Sequence, residues 1–186
     1  WFEDAAEKMG VDVMRWLYSS QNPEQNLLFG YDVANEARKN LITLWNTYSF
    51  FVSYANIDGF SPKDDFDFSK SPKVDLWVVS KANEFIKNSI EYYSNFQLYR
   101  FMENAERFLN DISNWYVRRN RRRFWKSEND SDKLSAYHAL YYVLIRYIKV
   151  MAPIVPFITE KIYNNLSKGL GDKAEQSIHH EHFPAV

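Results

Sequence analysis

The sequence of 186 residues contains no cysteine and only 5 glycines. Without cysteine the chain forms no disulfide and holds no zinc ion or iron–sulfur cluster through thiolates. Glycine serves tight turns and weakens helices, so its scarcity favours an all-α fold over one built from strands. No apolar run reaches membrane-spanning length, and we expect no membrane partner.

The chain also lacks an overall excess of positive charge. Its formal net charge is -1 and its sequence pI is about 6.5. Binding to nucleic acid would therefore depend on a local concentration of basic residues rather than on the charge of the whole chain.

Apolar residues recur at helical spacing along most of the chain. One such stripe predicts a helix over residues 32–57, and a polar segment, 58–71, follows it. Ser71 and Pro72 resemble an N-cap and a first helical residue. The predicted core positions of the next helix are Leu76, Val79, Ile86, Ile90 and Tyr93.

Three further helical segments follow a predicted break at residues 94–95. The first carries the stripe Phe101, Ala105, Phe108, Ile112 and Trp115, and the second carries Tyr137, Tyr141, Leu144, Ile148 and Met151. Pro153 and Pro156 separate the second from a last helix that stops at Gly169. Residues 3–20 form a helix with an interruption at Gly10.

These segments predict an all-α, mostly antiparallel bundle of about six helices, because short connections place successive helices side by side. We divide the chain into a leading helical segment, residues 1–20, a helical bundle, residues 21–170, and an irregular tail, residues 171–186.

The most unusual segment has five arginines and one lysine within residues 118–126. The stripe that ends at Trp115 continues in this segment as Arg119 and Arg122. Burial of unpaired charge is costly, so we expect this helix end to leave the core or to face water or an anionic partner.

Three interpretations of the basic segment remain open. Its arginines could pair with the nearby acidic residues Asp111, Glu128, Asp130 and Asp132. They could dock an acidic protein partner. They could instead bind phosphate groups, while neighbouring aromatic rings stack on unpaired bases.

No other group of residues predicts a chemical site. His179, His180 and His182 lie in the tail, where we expect a flexible segment rather than a metal site. Asp12 and Arg15 lie one helical turn apart and predict a local ion pair or a contact with neighbouring backbone. The sequence contains no phosphate-binding glycine loop, nucleophile elbow or zinc-protease signature, and we predict no catalytic residue.

Five stretches, in the same order along the chain, resemble isoleucyl-tRNA synthetases. The most specific is SNWYVRRNRRRFW at residues 113–125. The other four are GVDVMRW at 10–16, TLWNTYSFF at 43–51, YANIDGF at 54–60 and MAPIVPF at 151–157. The valine-specific synthetases, a sister family, usually differ in the arginine block and remain an alternative.

The resemblance implies the helical domain of a class I synthetase that receives the anticodon stem-loop of tRNA(Ile). Residues 1–20 would follow the catalytic domain, which explains why the chain begins at Trp1. The nucleotide-binding HIGH and KMSKS signatures are absent, so ATP and magnesium would belong to the parent's catalytic domain, and we expect no cofactor here. We also expect a monomeric, cytoplasmic parent whose remaining chain is a further partner of this domain.

The predicted tRNA-binding residues are Arg118, Arg119, Arg121, Arg122, Arg123, Trp125 and Lys126. The basic side chains would contact phosphates and Trp125 would stack on a base, whereas we place Trp115 in the core. The arginine block could also stabilise a domain interface of the parent.

Overall fold

A computed structural model of the chain describes residues 1–63, 65–126, 130–168 and 174–186. Within these ranges the regular structure is entirely helical, which confirms the all-α prediction. The α-helices are α1 (Phe2–Met9), α2 (Val11–Ser19), α3 (Tyr31–Ile57), α4 (Lys73–Ser94), α5 (Leu98–Asn110), α6 (Arg118–Trp125), α7 (Ser131–Met151) and α8 (Pro156–Leu166). A π-helical segment (Asp111–Val117) joins α5 to α6, and 3-10 turns lie at Phe68–Lys70 and Ile178–His180.

Helix α7 is the centre of the bundle. Fifteen of its 21 residues are buried, as expected for a helix that is apolar on most sides. It packs against α3, α4, α6 and α8, while α2 packs against α3, α5 and α8. No helix of the described ranges has the length and apolarity needed to cross a membrane.

Most of the predicted helix boundaries agree with the structure. Gly10 separates α1 from α2 with a positive φ of 86°, a conformation that glycine adopts without strain. Pro156 is the first residue of α8, so the predicted separation of the last two helices is confirmed. Helix α4 begins one residue later than predicted, because Pro72 is its N-cap and the Ser71 hydroxyl instead donates a hydrogen bond to the hydroxyl of Ser135, whose own proton goes to Asp75. The predicted stop at Gly169 lies outside the described residues.

The predicted core face of α4 is partly wrong. Leu76 and Ile90 are exposed, and the face that packs into the core consists of Asp75, Val78, Ala82, Phe85, Ile86 and Ser89. Two polar residues, Asp75 and Ser89, lie on this face, so the apolar pattern of the sequence does not reveal it. Both are satisfied after burial: Ser89 donates a hydrogen bond to the Phe85 carbonyl, and Asp75 accepts several bonds from neighbouring helices.

The predicted core position of Trp115 is also wrong, since its side chain is 40 % exposed. The stripe of α5 continues from Ile112 to Tyr116, not to Trp115, and then to Phe124 in α6. A π-helix closes its hydrogen bonds over five residues instead of four. The wider turn over Asp111–Val117 therefore shifts the buried stripe by one position and turns Trp115 towards the surface.

Asp12 and Arg15 connect α2 to the turn between α7 and α8 and to the first turn of α8, so of the two predicted contacts the one with neighbouring backbone is found. Arg15 donates hydrogen bonds of 2.7 Å to the carbonyls of Pro153 and Ile154. Asp12 accepts a bond of 2.7 Å from the backbone N–H of Ile158 and a longer one from Phe157. The carboxylate of α2 thus caps the N-terminus of α8 across the bundle.

The tail segment described by the structure is packed rather than flexible. Ile178 is buried, and its N–H bonds to Glu160 of α8. Glu181 accepts a hydrogen bond from Tyr163 and pairs with Lys149 at 2.9 Å. These contacts fix the position of the neighbouring histidines on the bundle.

We predict that Asp12→Ala lowers the free energy of unfolding by about 1–2 kcal/mol, because the first N–H groups of α8 are left without their acceptor. Urea denaturation followed by circular dichroism measures the change. The control is Asp32→Ala, which removes an exposed carboxylate from the first turn of α3 and should cost less than about 0.5 kcal/mol. Equal destabilisation of the two variants would contradict a capping role for Asp12.

Candidate nucleic-acid interface

Helix α6 presents one strongly basic face to solvent. At about 100° per residue, Arg118, Arg122 and Trp125 lie within about 60° of one another. Arg119 flanks them on one side and Arg121 on the other. The side chains of all five residues are exposed. None of these four arginines has an ion-pair partner within the described ranges. We call Arg118, Arg119, Arg121 and Arg122 the basic face.

The opposite side of α6 is anchored in the core. Phe124 is buried and packs edge-on against Tyr137 of α7 at 5.0 Å between ring centroids. Asn120 is also buried, and its amide donates a bond of 2.7 Å to the Tyr116 carbonyl. Because α6 is held on this side, its arginines on the other side remain in water.

The fifth arginine of the segment, Arg123, points inward. Its guanidinium forms a bidentate pair with Asp75 of α4, at 2.6 and 2.8 Å, and also contacts Asp132 at 2.9 Å. Burial opposes its positive charge, but the hydrogen bonds and charge of Asp75 prevail, so the pKa of Arg123 rises above its usual value. Arg123 therefore holds α6 against α4 and α7.

Asp75 is the centre of this buried network and is 0 % exposed. Its carboxylate also accepts bonds of 2.6 Å from the hydroxyls of Tyr116 and Ser135. Burial and the nearby carboxylate both raise the pKa of Tyr116, which keeps this hydroxyl protonated as a donor. A buried charge is tolerated only with such a full set of partners.

Lys126 lies exposed at the end of α6 and binds two carboxylates. It contacts Asp130 at 3.3 Å and Asp132 at 3.0 Å, and its hydrogen bond to Asp132 is the main cause of its raised pKa. Of the predicted pairs between the arginines and the nearby acidic residues, the one between Arg123 and Asp132 is present, whereas the pairs of Lys126 were not predicted. Glu128, another predicted partner, lies outside the described residues.

An aromatic cleft adjoins the C-terminal end of the basic face. Trp125 is 55 % exposed and borders a space of about 470 Å³ together with Tyr54, Ile57, Asp58, Phe124 and Lys126. On the neighbouring side of α6, the Arg121 guanidinium lies 5.8 Å from the Phe50 ring centroid. The surface therefore combines cationic groups with flat apolar rings.

The sequence did not identify Asp75, Asn120 or Ser135 as parts of this region. Asp75 occupies the first turn of α4, where an acidic residue ordinarily complements the helix dipole at the surface. The spacing of Tyr116 and Arg123 by two helical turns was the available signal, since it places both on one face. No group of three or more potential metal ligands occurs within the described ranges.

Comparison with known families identifies the domain. Residues 75–186 match the family model described as the anticodon-binding domain of tRNA ligase. The chain belongs to this family. The matched region includes Asp75 and the whole of α6, so the basic face is part of the anticodon-binding domain.

Similar proteins include several bacterial isoleucine–tRNA ligases. The chain is 42 % identical over 182 residues to that of Dehalococcoides mccartyi strain CBDB1, which covers 97 % of this chain and 18 % of that protein. It is 44 % identical over 178 residues to the enzyme of Clostridium tetani, and this match covers 95 % of the present chain and 17 % of that protein. It is 42 % identical to the enzyme of Bacteroides thetaiotaomicron, and this match covers 96 % of the present chain and 16 % of that protein. The chain therefore spans less than a fifth of the length of these relatives.

We predict that Asp75→Ala in this anticodon-binding domain lowers the free energy of unfolding by about 3–5 kcal/mol, because the mostly buried Arg123 loses its bidentate partner and keeps only one carboxylate contact, with Asp132. The double variant Asp75→Ala/Arg123→Leu should be destabilised by about 1–3 kcal/mol less than the sum of the two single variants. Tyr116→Phe removes one hydrogen bond and should cost about 1 kcal/mol. Urea denaturation tests all four proteins, and simple additivity of the two single effects would contradict the buried ion pair.

Proposed function

We propose that this chain is the part of an isoleucine–tRNA ligase that binds the anticodon stem-loop of tRNA(Ile). The observation that carries the proposal is the basic face of α6, whose four guanidinium groups are exposed and have no ion-pair partner among the described residues. Family membership and the names of the relatives support the choice of RNA over an acidic protein and of isoleucine over valine.

The chemistry of the basic face suits a phosphate backbone. Arginine keeps its charge at all physiological pH values, and its planar fork of donors matches two phosphate oxygens at once. Arg118 and Arg122 occupy the centre of the face, and Arg119 and Arg121 extend it on either side. A strand laid across α6 would meet all four in turn.

We assign different roles to the remaining predicted site residues. Trp125, beside the aromatic cleft, offers a ring on which an unpaired base stacks. Arg123 and Lys126 already bind carboxylates, so we propose that they hold the frame of the site rather than contact phosphate. Phosphate contacts position the RNA, and base contacts give it sequence preference.

We propose that the parent protein is a monomeric, cytoplasmic enzyme that activates isoleucine with ATP and magnesium and transfers it to tRNA. In this proposal the present chain contributes to tRNA binding, and the chemical step belongs to the rest of the parent. A second candidate function, docking of an acidic protein, shares the same basic face and is separated from RNA binding by the experiment below.

We predict that the wild-type chain binds an isoleucine tRNA anticodon stem-loop and that Arg118→Gln/Arg122→Gln weakens this binding. The negative slope of log K against log salt should become shallower by about 0.7 for each phosphate group that the variant no longer binds, or by about 1.4 for the double variant. Fluorescence anisotropy of labelled RNA, titrated with salt, measures both quantities.

The matched control is Lys87→Gln/Arg100→Gln, which removes the same charge from exposed positions on α4 and α5. This variant should keep the wild-type salt slope. Equal effects of the two double variants would refute the assignment to α6. Competition by polyglutamate as effective as that by unlabelled stem-loop would favour the acidic-protein alternative.

A further inference from the structure

A second aromatic surface lies at the other end of the basic face from Trp125. It is formed by Trp77 of α4 and Trp115 of the π-helical segment, whose ring centroids are 4.3 Å apart with planes inclined at 45°. Trp77 is partly buried against the core, whereas Trp115 is 40 % exposed. The inner indole thus supports an outer indole that water can reach.

The basic face begins directly at this tryptophan pair. Arg119 follows Trp115 by one helical turn, and its guanidinium carbon lies 4.8 Å from the centroid of the Trp115 ring. This is within the range of a cation–π contact. The contact places a positive charge over the face of the indole. A base that stacks on this face takes the place of the guanidinium, which can then meet the phosphate of the same nucleotide.

Charge is distributed unequally around the tryptophan pair. Asp111 precedes Trp115 by one turn, and burial raises the pKa of its carboxyl group while nearby Lys81 and Arg107 lower it. Arg119 lies on the side of Trp115 towards α6. A nucleotide at the pair would therefore place its phosphate towards Arg119 and the basic face, away from Asp111.

The backbone provides an independent reason to regard Trp115 as a binding residue. With ordinary helical spacing Trp115 continues the buried stripe of α5, but the π-helical turn replaces it with Tyr116 and exposes it. Such turns are rare, and they occur frequently at functional sites. Exposure of a large aromatic ring forgoes the stabilisation that its burial would give.

We infer that Trp77 and Trp115 form a stacking platform for an unpaired RNA base, with Arg119 bound to the phosphate of the same nucleotide. The inference rests on the proposed function of α6 and adds to it a base-binding position distinct from that of Trp125. Ten residues separate Trp115 from Trp125, or about 15 Å at 1.5 Å per helical residue. The basic face would then carry a stretch of several nucleotides between two aromatic ends.

The experiment compares two RNA hairpins that have the same stem and the same number of phosphates. One carries the isoleucine anticodon loop, and the other carries abasic nucleotides throughout the loop. Trp115→Leu should weaken binding of the first hairpin about five- to a hundred-fold, as expected when one base is no longer stacked, and should leave binding of the abasic hairpin unchanged. Trp115→Phe retains a ring and should recover most of the affinity.

The matched control is Trp45→Leu, because Trp45 on α3 is exposed to nearly the same extent, 39 %, and lies beside Tyr48 rather than at α6. This variant should bind both hairpins as the wild type does. As a second readout, 2-aminopurine placed at successive loop positions should change fluorescence at one position or more on binding to the wild type. That change should disappear with Trp115→Leu, after circular dichroism has shown that the variant is folded.

The outcomes separate the inference from the proposed function. Wild-type affinity in Trp115→Leu, or equal weakening for the two hairpins, overturns the stacking platform while RNA binding by α6 stands. Equal affinity of the wild type for the two hairpins also overturns the stacking platform and leaves RNA binding by α6 in place. Failure of the wild type to bind either hairpin at low salt overturns both the proposed function and the platform.

Discussion

The arrangement of the basic face depends on the buried ion pair between Arg123 and Asp75. Replacement of a buried ion pair by well-packed apolar residues is often neutral or stabilising, so net stability does not explain it. Its geometry does: two bonds of 2.6 and 2.8 Å join a planar fork to a carboxylate that is 0 % exposed. A bidentate contact of this kind permits one rotation of α6 about its axis. In that rotation the other four arginines of the segment face water.

Besides the ion pair, the rotation of α6 depends on the π-helical segment. Continuation of α5 with α-helical spacing would bring Trp115, Arg119 and Arg122 to the core side and leave Tyr116 and Arg123 outside. With the wider turn over Asp111–Val117, Tyr116 and Arg123 lie on the core side, and Trp115, Arg119 and Arg122 lie outside. Tyr116 then reaches Asp75 through its hydroxyl, at 2.6 Å. The ion pair and the π-helical turn therefore support each other, because neither Tyr116 nor Arg123 reaches Asp75 without the shift of one position.

The helices could be predicted from the sequence, whereas the faces of α4 and of the segment after α5 could not. Residues 115 and 116 are both helical neighbours of Ile112, at spacings of three and four, and both are aromatic. Periodicity alone does not choose between them. The choice depends on a carboxylate in α4, about forty positions earlier, and Asp75 resembles an ordinary surface residue of a first helical turn. The basic segment itself was visible in the composition, but the separation of Arg123 from its neighbours required the positions of α4 and α7.

The separation of charged and aromatic groups on α6 has a consequence for selectivity. Guanidinium contacts to phosphate act on any nucleic acid strand and weaken steeply with salt. Stacking on indole rings depends on the presence of an unpaired base and much less on salt. Under the proposed function, a fully paired stem would use the arginines but neither ring, because the rings of Trp115 and Trp125 lie at the two ends of the basic face. The proposed stacking would then give a preference for a loop over a duplex, and this preference should grow as salt reduces the phosphate contribution common to both.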